Sequence, residues 1–426
     1  MHKINFYFAN ILTSDSIGLF GSALLSFLRS NKGVRSLYKS KFEHITQGST
    51  GALQTLAVSA NRSGLYALLT ALGVGDKDEV IVTGFTCSAV VEPILQKRAK
   101  PVYVDIEPET FCLNPTLLEA MITRRTQVII LQHTFGFPAP VDEVMEIANK
   151  HGLFVIEDCA LALGSKKDGR WLGSFGDAAI WSFELSKTIS VGWGGLIGIN
   201  RDEALAKRVG KILEDSGNQP PLLAAQRLIQ GGLSGLLYHH RTPHLIKRYA
   251  LGALFKFRIF RKSADTPADD LRLPNDRQWK YLHRQWLRLN ENLVRSKATQ
   301  KAYESVLVSH GSFSYASQPA GKEIYLIRFP LLVKNPERIV AFFADRDIEI
   351  GRWFNSPVSC NEKSSAEYGY DKGCCPVAER ICQHIINLPL HGRLTAEHVA
   401  MIVNTLDQYL FKHPDEVISI GHSLII

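Results

Sequence analysis

Long apolar runs are missing from this 426-residue chain; none reaches the roughly 18 residues that a membrane-spanning helix needs. The apolar stretch Ile17 to Leu28 is preceded by Asp15, and no small-residue cleavage pattern follows it, so it reads as an N-terminal helix and not a secretion signal. No CxxC pair occurs. The seven cysteines (Cys87, Cys112, Cys159, Cys360, Cys374, Cys375, Cys382) form neither a paired framework nor a cysteine–histidine metal spacing. Reduced thiols in a cytoplasmic protein are the expectation, with no metal. Internal repeats and low-complexity tracts are absent as well. Acid is absent from one long window: between Ser216 and Ala264 there is no Asp or Glu, while Arg227, Arg241, Lys247, Arg248, Lys256, Arg258, Arg261 and Lys262 all fall there. Those eight cations equal the whole net charge of +8, so the rest of the chain is neutral.

What is present describes a folded α/β protein. Apolar content of 45% with 21% charged residues excludes a disordered chain, and the length suffices for one large or two medium domains. Helical spacing over Ser63–Leu72 is followed by short apolar strands at Glu79–Thr83, Pro101–Asp105, Gln127–Gln132, Leu153–Glu157, Ala178–Phe183 and Leu196–Ile199. Val141–Lys150 has helical spacing and stops at His151-Gly152. Continuous apolar strands alternating with helices predict a mostly parallel sheet sandwiched by helices, with ligands gathered at the carboxyl ends of the strands. After Leu273 a stripe of Trp279, Leu282, Trp286, Leu289 and Leu293 predicts a helix. A strand over Lys322–Val333 and helices over Arg338–Phe343 and Ala396–Leu410 complete a smaller α+β domain. The expected division is a large α/β domain over 1–215, a basic helical insertion over 216–272 and a small C-terminal domain over 273–426.

Two residues carry the chemistry. Asp158 ends the run Val155-Ile156-Glu157-Asp158, and Lys187 lies just past the next apolar strand. A lysine that forms a Schiff base and a carboxylate that keeps a pyridine nitrogen protonated are what a pyridoxal phosphate enzyme needs. Around them the motifs fall in a familiar order: Gly73-Val74-Gly75-Asp76, Pro101-Val102-Tyr103-Val104-Asp105, His133-Thr134-Phe135-Gly136, Gly173-Ser174-Phe175-Gly176-Asp177, Ser182-Phe183, Gly194-Gly195, and Asn387-Leu388-Pro389-Leu390-His391. In these the chain resembles the DegT/DnrJ/EryC1/StrS family of sugar aminotransferases, over Ala60–Asn200 and Pro357–Leu406.

The resemblance implies the fold type I architecture of pyridoxal 5'-phosphate enzymes and a homodimer. It assigns Lys187 to the Schiff-base lysine and Asp158 to the pyridinium partner. Arg62 and Ser63 fall at the phosphate cup, and Ser182 at a further phosphate contact. Asn275 falls at an asparagine sent into the neighbouring subunit's site. Cys87 stands where an aromatic residue commonly stacks on the ring, with Phe85 two residues earlier as its candidate substitute. Leu161 replaces a glutamine and Trp193 a glutamate. His133 matches a frequent histidine, and is equally a structural residue at a strand end. Arg352, Trp353 and Phe354 are candidates for the substrate pocket by position.

The implied reaction moves an amino group from an amino acid, glutamate or glutamine, to a keto group of a nucleotide-linked sugar, in amino-sugar or polysaccharide biosynthesis. Two alternatives stand beside it: a non-catalytic regulatory protein with a degenerate cofactor site, and a sugar dehydratase. Retention of a lysine at 187 favours transfer over dehydration. For the acid-free stretch 216–264 the expectations are a helical subdomain packed on the body or peripheral contact with an anionic membrane. No nucleic-acid module is present.

Overall fold

The computed structural model describes residues 13–25, 32–190, 193–237, 244–256, 260, 267–273, 276–311, 321–359 and 364–418. Seven strands build the central sheet: β1 (Gln54–Val58), β2 (Glu79–Thr83), β3 (Lys100–Val104), β4 (Thr126–Gln132), β5 (Phe154–Asp158), β6 (Ala178–Ser182) and β7 (Gly195–Ile199). Their order across the sheet is β1-β7-β6-β5-β4-β2-β3. Only β7 runs antiparallel to its neighbours; every other pairing is parallel. Parallel strands cannot be joined by a hairpin, so helices make the crossovers, among them Asn61–Ala71 after β1, Ser88–Gln96 after β2 and Val141–His151 after β4.

β2, β6 and β7 are buried along their whole length, which is why they read as unbroken apolar runs and not as alternations. The six predicted strands of this sheet lie within one residue of the observed ones. The Val141–His151 helix shows its stop signal directly. Gly152 takes φ 65°, while Asp142 and Glu143 in the first turn and Lys150 and His151 in the last complement the helix dipole.

Several elements differ from expectation. β1 and the Lys32–Thr50 helix carry no clear periodic signal, the helix because it is largely polar. It is anchored in the core by Phe42, whose ring lies 5.7 Å from Trp279, 5.9 Å from Trp286 and 6.2 Å from Phe183. The stripe from Trp279 to Leu293 is two helices, Asp276–Leu287 and Leu289–Ser309. The strand predicted over Lys322–Val333 is also broken. Only Lys322–Glu323 and β8 (Phe329–Leu332) are extended in ladders. Between them the chain turns over the sheet edge, where the Ile327 N–H donates to the Phe135 carbonyl (3.1 Å) and the Tyr325 N–H to Ser165 Oγ (3.0 Å). β8 pairs antiparallel with β9 (Ile385–Leu388), flanked in sequence by the helices Pro336–Ala344 and Ala396–Lys412.

Within the acid-free stretch, the Pro221–Leu237 helix packs against the Thr13–Leu25 helix. Its buried Gly231, Gly232, Ser234 and Gly235 leave room for a close approach. Arg227 from this helix is buried in an ion pair with Asp270, and the Arg393 guanidinium donates to the Gly235 carbonyl at 3.1 Å. This inner helix is therefore part of the packed body. The His244–Lys256 helix carries exposed Tyr249 and Lys256. Among the described residues no helix is long and apolar enough to cross a membrane.

Candidate active site

The carboxyl ends of β1, β2, β4, β5 and β6 share one edge of the sheet with the amino end of β7. Ser182, the last residue of β6, sits opposite Gly195, the first of β7, which in turn sits opposite Val58 at the end of β1. From there the chain passes through Ser59 and Ala60 into the Asn61–Ala71 helix. Gly195 presses against that helix start so closely that a Cβ would lie 2.9 Å from the Asn61 amide nitrogen. Only glycine fits there without displacing the turn.

Asp158 ends β5 one strand away, 3% exposed, and its Oδ1 accepts from the Ala160 N–H at 3.0 Å. Burial pushes its carboxyl above the usual aspartate value, against the pull of the Ala160 amide, the Lys187 charge and a hydrogen bond from the Asn61 side chain. Lys187 is shifted the opposite way. Burial, and then the charge of Arg328, lower its amine, while Glu184, Cys87 and Asp158 act to raise it. Each group thus moves toward its neutral form, and each lies in the field of the other. Glu184 is fixed by the Ser186 amide (2.9 Å) and hydroxyl (2.7 Å). Arg328, 4% exposed, lies over the Trp353 ring at 3.3 Å from its centre. The Trp353 N–H is anchored in turn on Asn387 Oδ1 at 2.7 Å.

The start of the Asn61–Ala71 helix offers an anion site. Its Gly64 N–H is the donor that closes on Ala60, so the preceding amides of Asn61, Arg62 and Ser63 belong to the open first turn. Ser63 is fully buried, its Oγ 3.5 Å from Ser59 Oγ, and the Oδ1 of Asn61 is buried with no hydrogen-bond partner. The Ser182 hydroxyl accepts from the Glu184 N–H at 3.5 Å. The Arg62 side chain is engaged outside the cup. Its guanidinium is 2.5 Å from Glu92 of the Ser88–Gln96 helix, so it ties two helices together and leaves its backbone amide as the group available at the cup.

This donor set suits pyridoxal phosphate: open amides and hydroxyls for a phosphate, a buried carboxyl for a ring N–H, and an amine for an aldehyde. The other predicted positions have varied surroundings. Phe85 is fully buried among Phe111, Phe135 and Phe354, with ring centres 5.1 to 6.1 Å away, so its ring belongs to a core cluster. Cys87, half-buried at the start of the Ser88–Gln96 helix, is close enough to influence Lys187. Leu161 is buried in the core, Trp193 lies beside Arg227, and Asn275 lies outside the described residues.

His133 is structural in its contacts. The Ala139 N–H donates to its Nδ1 (3.0 Å), so the ring proton is on Nε2 and is donated to Glu157 at 2.8 Å. Glu157 also accepts from the amides of Gly173, Phe175 and Gly176. His133, Glu157 and Cys159 lie close enough to suggest a metal, but both ring nitrogens and both carboxylate oxygens are already engaged in hydrogen bonds. Burial opposes the Glu157 charge, yet the His133, Gly176 and Gly173 hydrogen bonds outweigh it and hold the carboxyl below the usual glutamate value. Its contribution to stability is therefore present above that usual value and lost as pH falls through the lowered one. Glu157→Ala strands four buried donors and is expected to lower unfolding free energy by roughly 4 kcal/mol or more. Urea titrations of both proteins at neutral pH measure this, and a loss under about 1 kcal/mol would contradict it.

Residues 20–227 and 274–407 match the model of the DegT/DnrJ/EryC1/StrS aminotransferase family. The chain belongs to this family. Among its relatives is a "Pleiotropic regulatory protein" of Geobacillus stearothermophilus, 26% identical over 387 residues, 91% of this chain and 92% of that protein. A GDP-perosamine synthase of Caulobacter vibrioides is 38% identical over 180 residues, 42% of this chain and 48% of the synthase. The structure of the aminotransferase TlmJ from Streptoalloteichus hindustanus aligns with a TM-score of 0.75 over 96% of this chain and 100% of TlmJ at 21% identity, a likeness of fold. The fold is therefore type I, and the family is one of aminotransferases that depend on pyridoxal phosphate. Its model leaves residues 228–273 unmatched.

Asn61, Glu184 and Arg328 belong to no motif that the sequence singles out. Arg328 had a visible signal, a lone cation inside the apolar run Ile324–Val333. Asn61 had only its place beside Arg62, and its link to Asp158 spans 97 positions that only the sheet brings together.

Proposed function

We propose that this aminotransferase transfers an amino group from glutamate or glutamine to a keto group of a nucleotide-linked sugar, with Lys187 and Asp158 as its central pair. One observation carries the reading: Asp158, buried at the end of β5, and the half-buried Lys187 lie in each other's field at the sheet edge, beside an open helix start. When bound, pyridoxal phosphate supplies an electron sink for the carbon that loses its proton.

The protein's own groups do the rest. The amides of Asn61, Arg62 and Ser63 with the hydroxyls of Ser63 and Ser182 bind the phosphate. Asp158 holds the ring nitrogen's proton at its carboxylate, and the Asn61 side-chain amide steadies that carboxylate. Lys187, its amine lowered by burial and by Arg328, accepts and returns a proton at Nζ. Trp353, carrying Arg328 on its face, walls the substrate side. A homodimer belongs to the same reading, with Asn275 reaching the neighbouring site; solution mass by light scattering tests it, and a monomer at working concentration would contradict it.

Relatives named for GDP-perosamine and for scyllo-inosose point to two acceptor classes, nucleotide-linked keto-sugars and free keto-cyclitols. The scyllo-inosose relatives also name L-glutamine as a donor. The test incubates the purified protein and pyridoxal phosphate with glutamate or glutamine and a panel of both acceptor classes, read by mass. A gain of nitrogen on a nucleotide-linked sugar is expected. Amination of cyclitols alone moves the proposal to that class, and no product from any acceptor ends it in favour of a regulatory role.

A further inference from the structure

The segment that the family model leaves unmatched reaches back to the wall of the cofactor site. Its Asp270 carbonyl accepts from Ser59 Oγ at 2.6 Å, and Ser59 Oγ lies 3.5 Å from Ser63 Oγ. The Asp270 carboxylate takes both Nε and Nη2 of Arg272 (2.6 and 2.9 Å) and lies 3.6 Å from Arg227. Arg227, its side chain only 4% exposed, also lies over Trp193, 5.3 Å from the ring centre. Trp193 leads directly into Gly194-Gly195, where Gly194 bridges Ala60 and Gly195 abuts the Asn61 amide.

The two sides of the helix start are therefore tied together from behind. On one side Ser59 is held by Asp270. On the other, the Trp193–Gly195 turn is held by Arg227. The Arg227–Asp270 pair is the strut between them.

We infer that Arg227 and Asp270 are positioning residues that set the phosphate cup, making the unmatched segment that carries Asp270 a built-in support for binding the cofactor's phosphate monoester. This rests on the reading of the Asn61–Ala71 helix start as that cup. A small outward shift of either wall lengthens the amide and hydroxyl contacts to a phosphate, whose strength falls steeply with distance and angle. Arg227→Met removes the strut while keeping an apolar stem against Trp193, and leaves Asp270 held by Arg272. Ser59→Ala cuts the other tie with the loss of one oxygen.

The test compares binding of pyridoxal 5'-phosphate with that of pyridoxal, which lacks the phosphate, to the cofactor-free protein by absorbance and fluorescence titration. Arg227→Met is expected to weaken the phosphorylated form by about tenfold, a hydrogen bond's worth, and pyridoxal hardly at all. Ser59→Ala is expected to do the same, and the double variant to fall short of the sum, since both cut one path. Equal weakening of both ligands, or of neither, overturns the inference. If Arg227→Met does not fold, as its thermal melt will show, Ser59→Ala decides alone by the same criterion. Failure of the unsubstituted protein to bind the phosphorylated form at all refutes the site reading and with it the strut; normal binding with unaffected variants refutes the strut only.

Discussion

Lys187→Met protein should fold, melt no lower than the parent when free of cofactor, and lose amino transfer by about 10²–10⁴-fold or more. The first part follows from the sign of the amine's shift. A lysine whose folded pKa lies below the usual value contributes stability above that usual value and loses it as pH falls through the lowered one. At neutral pH the half-buried amine is therefore a burden on the fold, and a methionine of similar length relieves it. The second part follows from chemistry, since one group must both attach the cofactor through an imine and move the proton. Cys87 is close enough to act on the amine, but a thiol cannot condense with an aldehyde to an imine. The measurement is paired: a thermal melt without cofactor, and the visible band and transfer rate with it. Undiminished transfer would remove Lys187 from the chemistry; a protein that melts far below the parent would show that the amine is structural.

Asp158→Asn carries the second large effect, and again activity and stability are expected to part. The carboxyl's folded pKa is raised, chiefly by burial, so its share of stability is present below the usual aspartate value and lost as pH rises through the raised one. Asparagine keeps the volume and the acceptor for the Ala160 amide but has no charge to bury. The cofactor-free variant should thus be more stable than the parent at neutral pH and no more stable in acid. Transfer should fall by about 10²–10⁴-fold, because a neutral amide cannot hold the ring nitrogen in its protonated form. Denaturant titrations at acid and neutral pH separate the two protonation regimes. A variant less stable than the parent at neutral pH would show that Asp158 is a well-satisfied anion and that burial does not dominate its titration.

Much of the architecture was legible because the buried strands are continuous apolar runs bounded by turn residues, which is what a sheet covered on both faces requires. Asp158 and Lys187 stood out because the chain places them just beyond such runs, where ligands of parallel sheets collect. The polar Lys32–Thr50 helix was not legible, since its place depends on Phe42 finding Trp279, Trp286 and Phe183 far along the chain. Nor was the break in the run Ile324–Val333, where an apolar stretch with strand composition turns to bond Phe135 and Ser165. The partner of the Arg62 side chain was not legible either, since it meets Glu92 thirty residues on.

Residue order alone determined the class of fold and the family and singled out Asp158 and Lys187, because periodicity and motif spacing are local properties written along the chain. Tertiary structure alone decided which side chains surround that pair. Asn61 beside Asp158, Arg328 acting on Lys187, and Arg227 joined to Asp270 behind the helix start are contacts between distant segments, created when parallel crossovers bring strand ends to a common edge.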